Sequence, residues 1–294
     1  MCFHSFIVPL HPNNSLMKKV TILFTLAICF LLACSGPKKA NMNHSNETHV
    51  RLETNLGNIT VKLYNETPLH RDNFIKLVKE GVYDSTLFHR VIKNFMCQAG
   101  DPDSKTASDT ALLGEGDVGY RIPAEFRTPA IFHKRGVLAA AREGDNVNPE
   151  KASSGCQFYI VTGKKFTEAQ LINMANQQNQ ARLDTVFQQL ARQHMKEIYK
   201  LRKAGDNDAL LALQDSLEAQ ARAIVKEEPA KKFTPEQIQA YTTVGGTPHL
   251  DGNYTVFGEV TEGMEVVETI ESTPTNRADR PLNNVRILKA VVVE

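Results

Sequence analysis

The most constraining stretch of the chain is Phe88-His89-Arg90-Val91-Ile92-Lys93-Asn94-Phe95-Met96-Cys97-Gln98-Ala99-Gly100-Asp101. β-Branched and aromatic residues alternate with polar ones on both sides of the turn dipeptide Lys93-Asn94, which predicts two short strands joined there. Strand parity then puts Phe88, Arg90 and Ile92 on one face, sets Met96 and Gln98 together on the next strand, and turns Cys97 the other way. A cation, an amide and large apolar groups meet on adjacent strands. Such a patch suits an uncharged, partly apolar substrate that needs a few placed hydrogen bonds.

Around it the chain alternates between two periods. Val50, Leu52, Ile59, Val61 and Leu63 flank Asn55-Leu56-Gly57-Asn58 as a hairpin. Thr67-Pro68 opens a helix that Gly81 can end, with Phe74, Leu77 and Val78 as its apolar face. Asp101–Gly119 reads as loop, Tyr120–Phe126 as a short extended piece, and Gly136–Arg142 as a strand of small residues. Asn146–Gly155 is a second loop, and in Gln157–Val161 parity sends Phe158 to the core and Tyr159 to the site. The segment 164–246 changes character. A capping box at Thr167–Gln170 opens one long helix through Leu201, a second helix runs from Leu210 to Ile224, and Thr234-Pro235 caps a third, short one that stops at Gly245-Gly246. Barrel character returns at Tyr254–Val260, followed by a packing helix at Gly263–Ser272 and a closing strand at Val285–Val293. Many short antiparallel strands with two helices give a mainly β fold with α, a closed β-barrel.

The central stretch closely resembles the signature of the cyclophilin family of peptidyl-prolyl cis-trans isomerases, Phe-His-Arg-(Val/Ile)-Ile followed by Phe-Met-x-Gln-x-Gly-Asp. The resemblance continues in order through Gly155-Cys156-Gln157-Phe158-Tyr159-Ile160 and Thr247-Pro248-His249-Leu250-Asp251-Gly252-Asn253-Tyr254-Thr255-Val256-Phe257-Gly258. It implies eight strands in the closed antiparallel barrel, two capping helices, and an inserted helical hairpin at 164–246 that divides the barrel into 49–163 and 247–294. It implies rotation about the peptide bond preceding proline, with Arg90 and Gln98 catalytic. The proline pocket maps onto Phe95, Met96, Tyr159 and Leu250, with Tyr254 closing one side, and Ala141, Arg142 and Gln157 match positions that contact the peptide backbone. His249 stands where many eukaryotic members carry tryptophan, so tight binding of the cyclosporin class does not carry over. Tyr159 adds a hydroxyl where phenylalanine is commoner. His89, on the parity opposite to Arg90, reads as a hydrogen-bonded structural histidine.

The formal net charge of +1 on 294 residues gives no electrostatic reason to expect a nucleic acid partner. Five cysteines without a Cys-x-x-Cys or His-x-x-x-His pair argue against a metal site, and no cofactor is expected. Cys97 and Cys156 are expected to be free, inward-facing thiols, although an oxidising envelope would permit a disulfide.

The amino terminus reads as a processing signal. Met17-Lys18-Lys19 is a basic start, 1–16 reads as upstream of the true start, and Val20–Ala33 is an apolar run shorter than the roughly 20 residues that span a bilayer. Leu31-Leu32-Ala33-Cys34-Ser35 resembles the bacterial lipobox, which makes Cys34 the lipidated first residue of the mature chain. Residues 1–34 are thus the signal peptide, and the polar stretch 35–48 is a flexible tether. With no acidic residue directly after Cys34, the expected location is the bacterial cell envelope, lipid-anchored and facing the periplasm.

Two functions follow. The first is an isomerase acting on proline-containing unfolded or flexible polypeptides during folding of envelope proteins. The second is a client-holding chaperone or partner-docking module that works through the helical segment with little turnover.

Overall fold

The computed structural model describes residues 47–293. The signal peptide, Cys34 with its lipobox, and the tether up to residue 46 lie outside the described residues.

Strands β1 (His49–Thr54) and β2 (Gly57–Leu63) form the first hairpin. Val50, Leu52, Ile59, Val61 and Leu63 fall on one face and are essentially solvent-free, which is the alternation written in the sequence. Helix α1 (Pro68–Lys79) follows. Thr67 stands at its start, but the Thr67 hydroxyl makes no capping bond. The buried Glu125 carboxylate accepts from the Leu69 and His70 N–H groups instead, at 3.3 and 3.0 Å, so a remote anion satisfies the exposed amide end.

The remaining strands are β3 (Arg90–Ile92), β4 (Met96–Ala99), β5 (Arg121–Ile122), β6 (Val137–Ala140), β7 (Ser153–Ser154), β8 (Phe158–Val161), β9 (Val256–Glu262) and β10 (Ile287–Val293). Eight of them form one antiparallel sheet in the order β10-β1-β2-β9-β6-β8-β4-β3, and β5 pairs with β7 in a separate ribbon. The expected closed barrel of eight strands is therefore corrected: among the described residues ten strands lie in two sheets, and the large sheet is curled but open. Its outer strands, β3 and β10, share no ladder. The chain leading into β3 meets the start of β10 only locally, through the Leu87–Arg286 bridge and the backbone bonds Ser85 N–H to Ile287 carbonyl, Ile287 N–H to Thr86 carbonyl and Phe88 N–H to Val285 carbonyl, at 2.8, 2.8 and 2.9 Å. Residues 85–89 run as turn and irregular chain, with Ser85 at φ +68°, so pairing does not propagate across the gap.

The core between the sheet and its covering helices includes Phe74, Leu77 and Val78 from α1, and Val266, Val267 and Ile270 from the helix Met264–Glu271 that follows β9. Phe74 meets Phe158 edge to face at 5.3 Å, one of several such aromatic contacts that fill it.

Between β8 and β9 come helices α2 (Glu168–Gln193), α3 (Met195–Ala204), α4 (Asn207–Lys226) and α5 (Pro235–Thr243), and α6 (Met264–Glu271) follows β9. The capping boxes at Thr167/Gln170 and Thr234/Gln237 are both formed. The single long helix expected through Leu201 is two helices. The break falls at His194, whose backbone (φ −93°, ψ 12°) leaves the helical range while its ring reaches Glu197 at 3.1 Å. Gly205, at φ +69°, ends α3 in the left-handed conformation that glycine adopts without strain.

Candidate active site

Register places the candidate residues. Arg90 lies opposite Gln98, Gln98 opposite Tyr159, and Tyr159 opposite Ala139; one step along, Ile92, Met96 and Val161 align in the same way. Alternation puts this set on the face away from Cys97, Phe158 and Ile160, which lie in the main core. Phe88 is a correction: it precedes the ladder, where parity no longer applies, and is buried in the main core rather than beside Arg90.

The outer face carries its own apolar cluster. Met96, Tyr159 and Leu250 are buried in it, and Phe95, Ala141 and Tyr254 pack against it partly exposed. Phe95 and His249 stack at 5.7 Å, with His249 on the short 3-10 turn Pro248–Leu250, its ring partly covered by that contact. Partial burial and the neighbouring His133 lower the affinity of His249 for a proton. Tyr254 meets Tyr159 edge-on at 6.1 Å. On its other side it receives the Arg142 guanidinium at 4.4 Å from its ring centre. Arg142 is fully engaged, donating to the Asn253 carbonyl at 2.7 Å and pairing with Asp145 at 2.7 Å.

Arg90 is different. Its side chain is 45% exposed, and its one ionic neighbour among the described residues is Asp279, at 3.6 Å and equally exposed. An ion pair so long and so wet holds the guanidinium weakly. Gln98 is held firmly: its Nε2 donates to Gln157 Oε1 at 3.0 Å, and Gln157 Nε2 in turn donates to the Gly114 and Gly116 carbonyls, each at 2.8 Å. That leaves Gln98 Oε1 as an acceptor. Gln98, Ala141, Arg142 and Gln157 line a polar cavity of about 290 Å³.

The loop that holds Gln157 depends on a residue the sequence reading left without a role. The solvent-free Asp101 carboxylate accepts from Asp103 N–H at 2.8 Å and Gly114 N–H at 2.5 Å. Its place at the end of the Gln-x-Gly-Asp motif was the available signal. His133 and Asp251 were also missed as a pair; Asp251 sits inside the last motif, but nothing near His133 marks it. His89 is buried, yet neither ring nitrogen has a hydrogen-bond partner among the described residues, which corrects the expectation of a hydrogen-bonded histidine. Cys97 and Cys156 are both buried and free.

A weakly held cation and a fixed amide stand beside an apolar cup, an arrangement that suits an uncharged, partly apolar ligand needing a few placed hydrogen bonds. A cyclophilin-type peptidyl-prolyl cis-trans isomerase model matches residues 49–218 and 228–292. A provisionally named peptidyl-prolyl cis-trans isomerase of Staphylococcus haemolyticus is 31% identical over 251 residues, covering 85% of this chain and 92% of that one. A Staphylococcus epidermidis protein of the same name is 29% identical, with 85% and 93% covered. In fold, the chain is similar to a cyclophilin-type isomerase of Cryptosporidium parvum, with a TM-score of 0.50, 20% identity, and 84% and 98% covered. The chain belongs to the cyclophilin-type peptidyl-prolyl cis-trans isomerases, and its activity is isomerisation of the peptide bond preceding proline.

Proposed function

We propose that Arg90 is the group that accelerates this rotation and that the cup of Phe95, Met96, Tyr159, Leu250 and Tyr254 holds the proline ring. The bond before proline turns over a barrier of roughly 18–20 kcal/mol, so uncatalysed exchange takes tens to hundreds of seconds. Halfway round, the nitrogen loses amide resonance and regains a lone pair. A guanidinium is permanently charged and carries several donors, so it binds that nitrogen better in the twisted state than in either planar one. Gln98 holds the substrate backbone, while Ala141, Arg142 and Gln157 line the path of the chain and His249 flanks the cup. The observation that carries this reading is the Arg90–Gln98–Tyr159 row, with a weakly held cation at one end and a buried apolar wall at the other.

A protease-coupled assay on a proline tetrapeptide tests it. Arg90→Ala should lower kcat/KM by about 10²–10³-fold, as loss of a transition-state donor does, with the melting temperature unchanged. An unchanged rate would overturn the assignment.

We place the enzyme on the bacterial envelope, anchored by lipid at Cys34 and serving unfolded envelope proteins whose prolines are exposed; the support is the Leu31–Ser35 pattern behind an apolar run. Cys34→Ser should move the protein from the membrane fraction to the soluble one, and a wild-type chain already soluble would sink the anchor.

A second reading, a client-holding or partner-docking role for segment 164–246, is favoured by one observation. An apolar groove of about 290 Å³ lies between α2, α3 and α4, lined by Phe187, Ala191, Ile198, Leu210, Leu213 and Leu217. Met195, Tyr199 and Leu211 are exposed in the same helices.

A further inference from the structure

We infer that helix α5 braces the proline cup through a buried relay, which makes Tyr241 and Gln237 positioning residues for Tyr159 and Leu250. The inference rests on the reading of Tyr159 and Leu250 as walls of that cup.

The relay is continuous. The Tyr159 hydroxyl lies 3.2 Å from His133 Nε2, and His133 Nδ1 lies 3.0 Å from Asp251 Oδ1. Asp251 Oδ2 accepts from the Tyr241 hydroxyl at 2.7 Å and from Gln237 Nε2 at 3.1 Å. All five residues are buried, and Tyr241 is wholly solvent-free. Because a carboxylate only accepts, a ring hydrogen of His133 belongs on Nδ1, and in the neutral imidazole Nε2 is left to accept from Tyr159. The orientation of a hydroxyl in the cup is therefore set by a carboxylate that α5 holds from behind.

The same carboxylate holds backbone. Asp251 Oδ1 also accepts from His133 N–H at 2.9 Å, and the His133 carbonyl accepts from Thr247 N–H at 2.9 Å. Asp251 directly follows Leu250 and His249, so anything that moves it moves the turn carrying them. Helix α5 is fixed in turn by packing. The Tyr241 ring meets Phe132, Phe166 and Phe233 edge-on at 5.4, 6.5 and 5.9 Å. A Cβ at Gly246 would fall 2.2 Å from the His133 carbonyl and 2.7 Å from the Tyr241 ring, so the chain leaving α5 is pressed against the relay.

A buried carboxylate requires several donors to be tolerated. Two of the four that serve Asp251 come from α5, and without them the anion would turn toward other partners or water.

The test uses the full chain and its Tyr241→Phe and Gln237→Met variants, which keep side-chain volume. Two quantities are read: the ring-nitrogen NMR signals of His133, assigned by their loss in His133→Gln, and kcat and KM for a proline tetrapeptide. Both variants should shift the His133 signals and lower kcat/KM by about threefold to tenfold, chiefly through KM, and the Tyr241→Phe effect should shrink in a Tyr159→Phe background. A lower melting temperature with unmoved His133 signals and unchanged kcat/KM would reduce Tyr241 and Gln237 to structural residues and overturn the inference. The reading of the site fails separately, through an Arg90→Ala variant of full activity, and the His133 signals would still decide whether the brace exists.

Discussion

Gln98 donates its only observed side-chain hydrogen bond to Gln157, 3.0 Å away, and Gln157 spends both of its own donors on the carbonyls of Gly114 and Gly116. The amide proposed to hold the substrate backbone is thus aimed by a second amide clamped to a loop. Gln157→Leu keeps bulk but removes the acceptor, freeing Gln98 to rotate. We expect kcat/KM for a proline tetrapeptide to fall about tenfold, equivalent to about 1.4 kcal/mol of transition-state stabilisation. Circular dichroism should show an intact fold. An unchanged kcat/KM would mean that Gln98 finds its orientation without Gln157.

His89 carries a pH dependence of stability. Burial pushes its pKa down from 6.5 to about 4, against the opposing pull of Asp101. The folded chain therefore keeps the ring neutral where the unfolded chain protonates it. Between pH 6.5 and about 4 the unfolded state binds more protons, so stability is full above that window and drains away as pH falls through it. The order of magnitude is about 3 kcal/mol across the whole window. Urea midpoints taken from pH 7.5 to pH 5 should fall, and His89→Gln should flatten the slope. An equal slope in the variant would place the acid sensitivity elsewhere, His70 being the next candidate because burial also lowers its pKa.

The two described thiols should be inert in the folded protein. Cys97 is solvent-free and its thiol is pushed well up by burial, while the Cys156 thiol is pushed up to about 11. Thiolate is the reactive form, so little of either reacts at neutral pH. Ellman's reagent should label neither at pH 8 in buffer and both in guanidinium, with the full chain carried through a Cys2→Ser, Cys29→Ser and Cys34→Ser background. Rapid labelling of Cys97 in buffer would contradict its burial.

The parts of this site legible in the sequence were those written in local period and motif. Parity alone separated Tyr159 from Phe158 and Met96 from Cys97, because a ladder enforces alternation. It failed at Phe88, two residues outside the ladder, where the backbone N–H donates instead to the Val285 carbonyl almost two hundred residues away. Helix starts at Thr167 and Thr234 were readable from capping boxes, while the start of α1 was readable only in position: its cap is Glu125, which no local pattern connects to Thr67. The same limit hid the open edge of the sheet, since closure depends on how residues 85–89 meet 285–287, and it hid the His133–Asp251 pair. Long-range polar contacts leave no periodic trace.

The helical segment has buried residues at one end and none at the other. Leu171 and Ala175 are the buried residues of α2, Leu217 and Ala221 those of α4, and α3 has none. The far end of the segment, residues 188–213, is therefore partly wet throughout and contributes little burial to hold the rest. Replacing it with a short Gly-Ser linker should leave kcat/KM for a tetrapeptide within about twofold of the parent, since the apolar cluster around the cup includes none of these residues, and should change the melting temperature by only a few degrees. The groove around Ile198 and Leu210 disappears in that variant. If this end gathers clients, refolding of a proline-limited protein substrate should slow severalfold while tetrapeptide turnover does not. Excising 165–243 instead removes Gln237 and Tyr241 and strips Asp251 of two donors, so that larger deletion should depress tetrapeptide turnover as well. Equal turnover in the two deletions would show that α5 contributes nothing to the cup, and equal refolding by parent and linker variant would show that the far helices recruit nothing.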